Sequence, residues 1–447
     1  MQHTVNASLL VCLSEKGFSL DELVFRIKTV FERQAFGEIL RTILLLVEET
    51  LKLKVMRKAE VPVACECGHS GFVLNGHQRD RRIRTSLGEV SFPALARVKC
   101  VRCDRSHTLL LRYLGIERHQ TKTAELEGEA IAAAAETSYR RAAGLLGKQT
   151  GARMAHSTLH GWTLNTQADE IHLPEKAMGL RPATVFADGT AYKGVAREGK
   201  AEKGEVKAMI GIGASGEAFP LGAWTHGETW SQIGKQLKKR AIHFPQGTTL
   251  VADAEPGLSE GLAELMELHQ RCQWHVVRDL YHAMWKDGGR IGEIRPVQEA
   301  LKAVVAVELP QEDFQQVPEA QKDEIEERME KADGHILELI RHLSSKGFIE
   351  AARYVERARH YLFSYVRRWL KYGILCPRAS SVIERFFREL GRRVKKIAYN
   401  WKEEGVGKIA RILLKKYTRP EEWETYWRDR MRLTGAVQIV FRIVRAV

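Results

Sequence analysis

Apolar positions along the chain recur at two spacings, which divide it into helical and strand-rich parts. Between residues 20 and 55 they fall at steps of three and four, which predicts one or two amphipathic helices, for packing or for self-association. From Arg82 to Arg97, apolar and polar residues alternate around the turn Ser86-Leu87-Gly88. This alternation indicates two strands of a hairpin.

Helical spacing returns over residues 122–170. An alanine-rich helix is expected over Glu125–Ala135, a second helix over Ser138–Gly147, and a third that Ser157 caps. Helices of these lengths joined by turns match a helix-turn-helix DNA-binding element, although plain helical packing explains the pattern as well. In the DNA-binding interpretation, the side chains that face DNA are Arg140, Arg141 and His160.

The middle of the chain contains two apolar runs that each stop at an aspartate. Thr184–Ala187 leads into Asp188, and Thr248–Ala252 leads into Asp253. Each run predicts a buried strand whose last residue presents a carboxylate at the edge of a sheet. Strands are also expected over Lys207–Ala214, Phe219–Trp224 and Arg271–Val277, and helices over Ser231–Ile242 and Leu258–His269.

This order of elements, strand, strand, strand, helix, strand, helix, strand, is that of a ribonuclease H-like core. The first and fourth strands of that fold are neighbours, so Asp188 and Asp253 are expected to meet. Adjacent carboxylates repel each other unless a cation neutralises them, and Mg²⁺ or Mn²⁺ prefers such oxygen ligands.

A long stretch of charged helical pattern follows, over residues 276–376, before an apolar stripe begins at Ile383. The stripe predicts one amphipathic helix, capped by Ser380 or Ser381, and it consists of Ile383, Phe386, Phe387, Leu390, Val394 and Ile397. Glu384 lies beside the stripe in the first turn, where it can face the sheet or simply pair with Arg388.

Four of the seven cysteines form two close pairs, Cys65 with Cys67 and Cys100 with Cys103. Two such pairs joined by a hairpin can close a tetrahedral zinc site, which would let a small domain fold around a small core. Because the first pair has the spacing C-x-C, His69 or His107 can replace one cysteine as a ligand. A site that has lost its metal and two unrelated buried pairs are the alternatives.

Composition narrows the class of protein. Lysine and arginine exceed aspartate and glutamate by 70 to 56, a formal net charge of +14 that favours a polyanionic partner such as nucleic acid. Neither a secretory signal nor a spanning apolar segment is recognisable, so we expect no membrane association and a cytoplasmic, nucleoid-associated location. An odd number of cysteines argues against a disulfide framework.

The motifs Asp188-Gly189-Thr190, Asp253-Ala254-Glu255 and Cys272-Gln273-Trp274-His275 together resemble the Mutator-like DDE transposases, including their prokaryotic insertion-sequence branches. The resemblance covers roughly residues 60–415. It implies a third catalytic acid on a helix beyond a helical insertion, which we assign to Glu384, with Glu389 as its chief competitor.

The resemblance also implies the chemistry and the partners. Asp188, Asp253 and Glu384 would hold two Mg²⁺ or Mn²⁺ ions for DNA cleavage and strand transfer at terminal inverted repeats. Cys272 and His275 would lie beside the active site, with an architectural or substrate-orienting role for His275, although plain packing explains a buried cysteine as well. The basic residues Arg392, Arg393, Lys395 and Lys396 are expected on the same side as the acids, where they can neutralise phosphates, although a solvated helix face explains them too.

We therefore expect an α/β multidomain protein that acts on double-stranded DNA, both transposon ends and target, as a homodimer or higher oligomer. The predicted parts are a helical segment (1–60), a zinc-ribbon-like domain (61–115), a helix-turn-helix-like domain (116–175), a ribonuclease H-like core (176–275 and 377–447) and a helical insertion (276–376). Two other functions stay open, a non-catalytic DNA-binding protein derived from a transposase and a ribonuclease H-like nuclease that cuts without joining.

Overall fold

The computed structural model describes residues 5, 19–31, 35–150, 154–171, 182–195, 203–213, 216–240, 242, 244–397, 401–433, 437 and 439–440. By its contacts the chain forms two compact units, Met1–Asn165 with Thr425–Val447, and Thr166–Glu424. This division is coarser than the five predicted parts, and it groups Thr425–Val447 with the N-terminal unit rather than with the predicted core. Among the described helices, none combines the length and the apolar character needed to cross a bilayer.

The first unit is built on a long hairpin with a helix packed against it. The hairpin pairs Phe72 with Cys100 at its open end and Thr85 with Gly88 at its turn, which confirms the predicted hairpin and lengthens it. Buried apolar side chains of α2, including Leu51 and Val55, form one core with the hairpin. The elements are α1 (Leu20–Val30), α2 (Phe36–Met56), β1 (Phe72–Thr85), β2 (Gly88–Cys100), β3 (Ser106–Thr108) and α3 (Leu109–Tyr113).

The predicted helical block of the first unit is present as α4 (Ala124–Glu136), α5 (Tyr139–Thr150) and α6 (His156–Asn165). Small side chains of α4 and α5 share a core with Leu159 of α6. Thr123 caps α4, since its side chain accepts a hydrogen bond from the Leu126 amide. The expectation that Ser157 caps α6 is wrong, because the helix already begins at His156.

The second unit contains a mixed five-stranded sheet in the order β6-β5-β4-β7-β8. β4 runs antiparallel to β5 and parallel to β7, so the first and fourth strands of the sheet are neighbours, as predicted. An apolar core including Val185, Leu221 and Ile233 packs α7 and α8 against the sheet. The elements are β4 (Pro182–Lys193), β5 (Lys203–Gly213), β6 (Ala218–Trp224), α7 (Trp230–Lys239), β7 (Thr249–Ala252), α8 (Leu258–Leu262) and β8 (Leu268–Arg271).

Three details of the predicted core are wrong. β4 does not end at Asp188 but continues to Lys193, because beyond Phe186 it stays paired with β5 after its pairing with β7 has stopped. The helix predicted over Leu258–His269 ends at Leu262. Leu268 is already the first residue of strand β8, where it pairs with Thr249 of β7. The stretch Arg271–Val277 is mostly helical, since α9 begins at Gln273.

Helices alone separate β8 from the segment that carries Glu384. They are α9 (Gln273–Lys286), α10 (Ile291–Val305), a 3₁₀ turn (Phe314–Gln316), α11 (Glu319–Ser345), α12 (Ile349–Arg359) and α13 (Ser364–Tyr372). They are followed by α14 (Ser381–Gly391), a π-helical segment (Arg392–Ile397), α15 (Glu403–Thr418) and α16 (Pro420–Met431). The predicted stripe on α14 is confirmed, since Ile383, Phe386 and Leu390 are buried.

Candidate active site and cysteine cluster

The cysteine cluster lies at the open end of the β1–β2 hairpin. The sulfurs of Cys65, Cys67, Cys100 and Cys103 all lie within 4.8 Å of one another, and none forms a disulfide. The Sγ atoms of Cys65 and Cys103 are 3.4 Å apart, and those of Cys67 and Cys100 are 3.7 Å apart. A tetrahedral zinc ion with sulfur bonds of about 2.3 Å sets its sulfurs about 3.8 Å apart, so the four side chains fit zinc.

Tight turns bring the cysteines of each pair together. The Cys65 amide donates to the His69 carbonyl over 2.8 Å, and Gly68 closes the turn with a positive φ of 79°. In the second pair, the Asp104 amide donates to the Cys100 carbonyl over 3.0 Å. His107, one of the two alternative ligands, has its Nε2 3.1 Å from the Cys65 Sγ. His107 therefore lies next to the cluster of four sulfurs.

Asp188 and Asp253 meet where the parallel strands β4 and β7 stop pairing. The register matches Phe186 with Val251, and each aspartate follows its partner residue by two positions. A third carboxylate, Glu255, joins them, and ligand atoms of all three lie within 4.8 Å of one another. The edge of the sheet thus collects three acids in a half-buried position.

Two of the three acids at this edge have raised pKa values. Burial, with the nearby Asp253 carboxylate adding to it, raises the pKa of Asp188 to about 7. Burial likewise raises the pKa of Glu255, although its Oε1 accepts a hydrogen bond from the Trp230 indole over 2.6 Å. Neighbouring carboxylates with raised pKa values are a donor set that suits a divalent cation.

Gly189 leaves room for this group of acids. A Cβ atom at this position would lie 2.9 Å from Glu205 Oε1 and 3.1 Å from Glu255 Oε2, so a side chain would crowd both carboxylates. Lys207 pairs with the same two acids, at 3.1 Å from Glu205 and 3.7 Å from Glu255. The only signal for Glu255 in the sequence is its position two residues after Asp253, in the motif Asp253-Ala254-Glu255.

Glu384 lies in a second group, with Cys272 and His275, whose ligand atoms also lie within 4.8 Å of one another. Ser380 connects the three, because its hydroxyl donates to Glu384 Oε1 over 2.7 Å and its amide donates to the Cys272 sulfur over 3.4 Å. Ser380 stands at the N-cap position of α14 but does not cap the helix, since its hydroxyl is engaged by Glu384. The network therefore joins α14 to the end of β8.

His275, a member of the second group, also interacts with the first. Its Nδ1 is 3.8 Å from Glu384 Oε1, and its charge also lowers the pKa of Asp188. Burial by itself would lower the pKa of His275, but the hydrogen bond and charge of Cys272 raise it. Asp188 and Asp253 are thus brought together, with Glu384 in the adjoining group rather than in theirs.

The predicted basic residues after α14 have different surroundings. Lys395 donates from Nζ to the Thr190 hydroxyl over 2.7 Å, which brings it close to Asp188. Arg392 is exposed and pairs with Glu389 at 3.0 Å, and Lys396 is also exposed. Arg393 is 2% exposed and lies over the Trp401 ring, so it is not part of an exposed basic surface.

The predicted DNA-facing residues of the first unit are accessible to solvent. Arg140 and Arg141 begin α5 and are both exposed. His160 on α6 is exposed as well, and its ring lies 5.0 Å from that of Tyr139 in an edge-on contact. All three can be reached by a large ligand.

Taken together, these features define an α/β protein with a carboxylate group suited to divalent cations at the edge of a mixed sheet, and with a separate zinc-ribbon-like cysteine cluster. The family model described as Transposase, Mutator family, matches residues 137–424, and the chain belongs to that family of transposases. A second model, described as an uncharacterised protein family (UPF0236), matches residues 13–180. A comparison with curated proteins found no match.

Proposed function

We propose that the chain is a DDE-type transposase that binds the terminal inverted repeats of an insertion sequence and catalyses DNA cleavage and strand transfer. The observation that carries this proposal is the meeting of Asp188 and Asp253 where the parallel pairing of β4 with β7 stops. The strand order β6-β5-β4-β7-β8, with a parallel β4–β7 pair, supports a ribonuclease H-like core. The family of the chain supports DNA as the substrate.

The acids would hold two Mg²⁺ or Mn²⁺ ions. Asp188, Asp253 and Glu255 supply hard oxygen donors, with Glu384 in the adjoining group. When bound, such ions activate a water or 3′-hydroxyl and stabilise the charge that develops on the phosphate. The carboxylate oxygens of these acids lie close together in a half-buried site. Lys395, which is bound to Thr190, would attract the phosphates of the DNA backbone.

Cys272, His275 and Ser380 are proposed as positioning residues for Glu384. The Ser380 hydroxyl fixes one oxygen of Glu384, and the other contacts of Ser380 tie it to α9. Ser380→Ala removes the fixing hydroxyl, and we expect about a tenfold loss in the rate of strand transfer with little change in DNA affinity. Single-turnover kinetics checks this prediction, and an unchanged rate would contradict the positioning role.

Zinc at the cysteine cluster would complete the fold of the first unit, as proposed from the spacing of the sulfurs. The exposed Arg140, Arg141 and His160 would face DNA in the helix-turn-helix interpretation of α4–α6. Within the cell the protein would act at the nucleoid, assembled as a homodimer or higher oligomer on the DNA.

The test is a cleavage and joining assay on a plasmid that carries the sequences flanking the gene, in the presence of Mg²⁺ or Mn²⁺. Asp188→Asn, Asp253→Asn and Glu384→Gln each keep the shape of the side chain and remove its charge. We expect these variants to bind DNA but to lose cleavage and joining by about a thousandfold or more. Glu389→Gln is the matched control, because Glu389 is exposed and paired with Arg392.

Each outcome of the assay decides between the candidate functions. Strand transfer retained by Asp188→Asn contradicts the proposed catalytic role of that residue. Cleavage without joining by the unmodified chain identifies a nuclease. Specific DNA binding that needs no metal at the acids, without any cleavage, identifies a non-catalytic DNA-binding protein.

A further inference from the structure

Two of the tryptophans differ from the others in their exposure to solvent. All nine tryptophans lie among the described residues, and the only two that are mostly exposed are Trp274 at 54% and Trp285 at 65%. Both belong to α9, and their separation of three helical turns directs them to the same side of it. Because indole rings are usually buried, two exposed rings on one side of one helix indicate a binding surface.

α9 is firmly held on its opposite side, so the exposure is not caused by loose packing. Val276, Leu280 and Met284 are fully buried there. The positions of α9 that are exposed form what we call the stacking face, which consists of Trp274, Arg278, His282, Trp285 and Lys286. This face carries no acid and no aliphatic side chain.

The stacking face begins at the candidate active site. The Trp274 ring lies 4.9 Å from the ring of His275, which belongs to the group with Cys272 and Glu384. The guanidinium of Arg278 lies over the Trp274 ring, at 4.8 Å from its centre. Arg278 also pairs with the half-buried Asp279 through two hydrogen bonds of 2.6 and 3.1 Å, which raise the pKa of Arg278.

We propose that the stacking face binds unpaired nucleotides of the DNA beside the reacting phosphodiester, with Trp274 stacking on a base and Arg278 neutralising the backbone. Aromatic rings interleaved with cations are the means by which proteins hold single-stranded nucleic acid. Bases inside a duplex are covered on both sides by their neighbours, so an indole reaches only an unpaired or terminal base. Tryptophan and arginine are also common in protein interfaces, but the place of the face beside the candidate acids favours nucleic acid as its occupant.

This inference rests on the proposed function for DNA as the substrate, but not for the catalytic role of the acids. The test therefore measures binding without cleavage, in the Asp188→Asn background. Two probes are used, a blunt duplex and the same duplex with a short single-stranded overhang that carries 2-aminopurine at its first unpaired position. Stacking on an indole quenches the fluorescence of 2-aminopurine.

We expect the overhang probe to be quenched on binding and to bind more tightly than the blunt duplex. Trp274→Ala should abolish the quenching and weaken overhang binding about tenfold, while blunt-duplex binding changes by less than about twofold. Trp274→Phe should restore most of the affinity, because a smaller ring still stacks. Lys302→Ala is the control for loss of an exposed cation on the neighbouring α10, and it should affect both probes equally.

Equal weakening of both probes by Trp274→Ala, or no quenching, overturns the proposal. So does a change of oligomeric state in Trp274→Ala, measured by light scattering, without a change in overhang binding, since it identifies the face as a protein interface. If the unmodified chain binds neither probe, the proposed function fails as well. If it joins DNA normally and binds both probes alike, only the stacking face is refuted.

Discussion

The acids of the candidate site differ in how well the sequence predicts their positions. Asp188 and Asp253 were predictable, because an apolar strand that runs into an acid leaves a carboxylate at the edge of a sheet. Glu255 was not, because its hydrogen bond to Trp230 and its place beside Gly189 depend on the folded sheet. The assignment of Glu384 from a resemblance stays a prediction, although its ligand atoms lie next to His275.

The raised pKa of Asp188 leads to a prediction about metal affinity. Below about pH 7 the carboxyl group of the metal-free chain holds a proton that a cation must displace. We therefore expect the affinity for Mn²⁺ to rise about tenfold between about pH 6 and pH 8. Titration followed by electron paramagnetic resonance measures it, with Glu389→Gln as the control, and an affinity independent of pH would contradict the prediction.

The raised pKa of Asp188 also makes the stability of the metal-free chain depend on pH. The folded pKa of Asp188 lies above its unfolded value, since the folded chain binds the proton more tightly. The stabilisation that this group contributes is therefore complete below about pH 4 and is lost as the pH rises through about 7.

The sequence predicts helices and strands well where the apolar pattern repeats over many residues. It predicts them poorly where only a few residues determine whether a segment is helix or strand. Leu258, Leu262 and Leu265 have helical spacing, yet the helix stops early because Leu268 to Arg271 must pair with β7. A strand of four residues is too short for its alternation of apolar and polar positions to be recognised in the sequence. The stretch after Cys272 has the composition of a strand, but Val276, Leu280 and Met284 are the buried side of α9.

The hairpin of the first unit yields a prediction about zinc. Cys100 closes the hairpin opposite Phe72, so loss of a metal there would release the open end of β1 and β2. We expect one zinc per chain by elemental analysis, and Cys100→Ser should lose it and lower the melting temperature by several degrees. Cys376→Ala, outside the cluster, should keep its zinc; a Cys100→Ser variant with full zinc content would argue against the site.

The charge of the whole chain was available from composition alone, whereas the division into units was not. Two side chains of the last described helix belong to the N-terminal unit, where the Trp427 ring lies against Gly128 and Arg430 pairs with Glu127 at 3.3 Å. Nothing in the spacing of these side chains reveals which core they join. Contacts between stretches so distant in sequence depend on the completed fold.

The net charge of +14 predicts that DNA binding depends strongly on salt. Between about 50 mM and 200 mM salt we expect the affinity to fall roughly a thousandfold, since each neutralised phosphate releases counterions. Replacing Arg140 and Arg141 with alanine should reduce the slope of log affinity against log salt by about 2. Fluorescence anisotropy measures the slope; if the double variant leaves it unchanged, these arginines do not contact phosphate.

The packing of the last helix into the N-terminal unit has a consequence for synthesis on the ribosome. The first unit is translated first but receives Trp427 and Arg430 only after the whole second unit has emerged. Its core can therefore be completed only after residue 430 has been translated, and a chain truncated before residue 425 lacks two side chains that pack within the first unit.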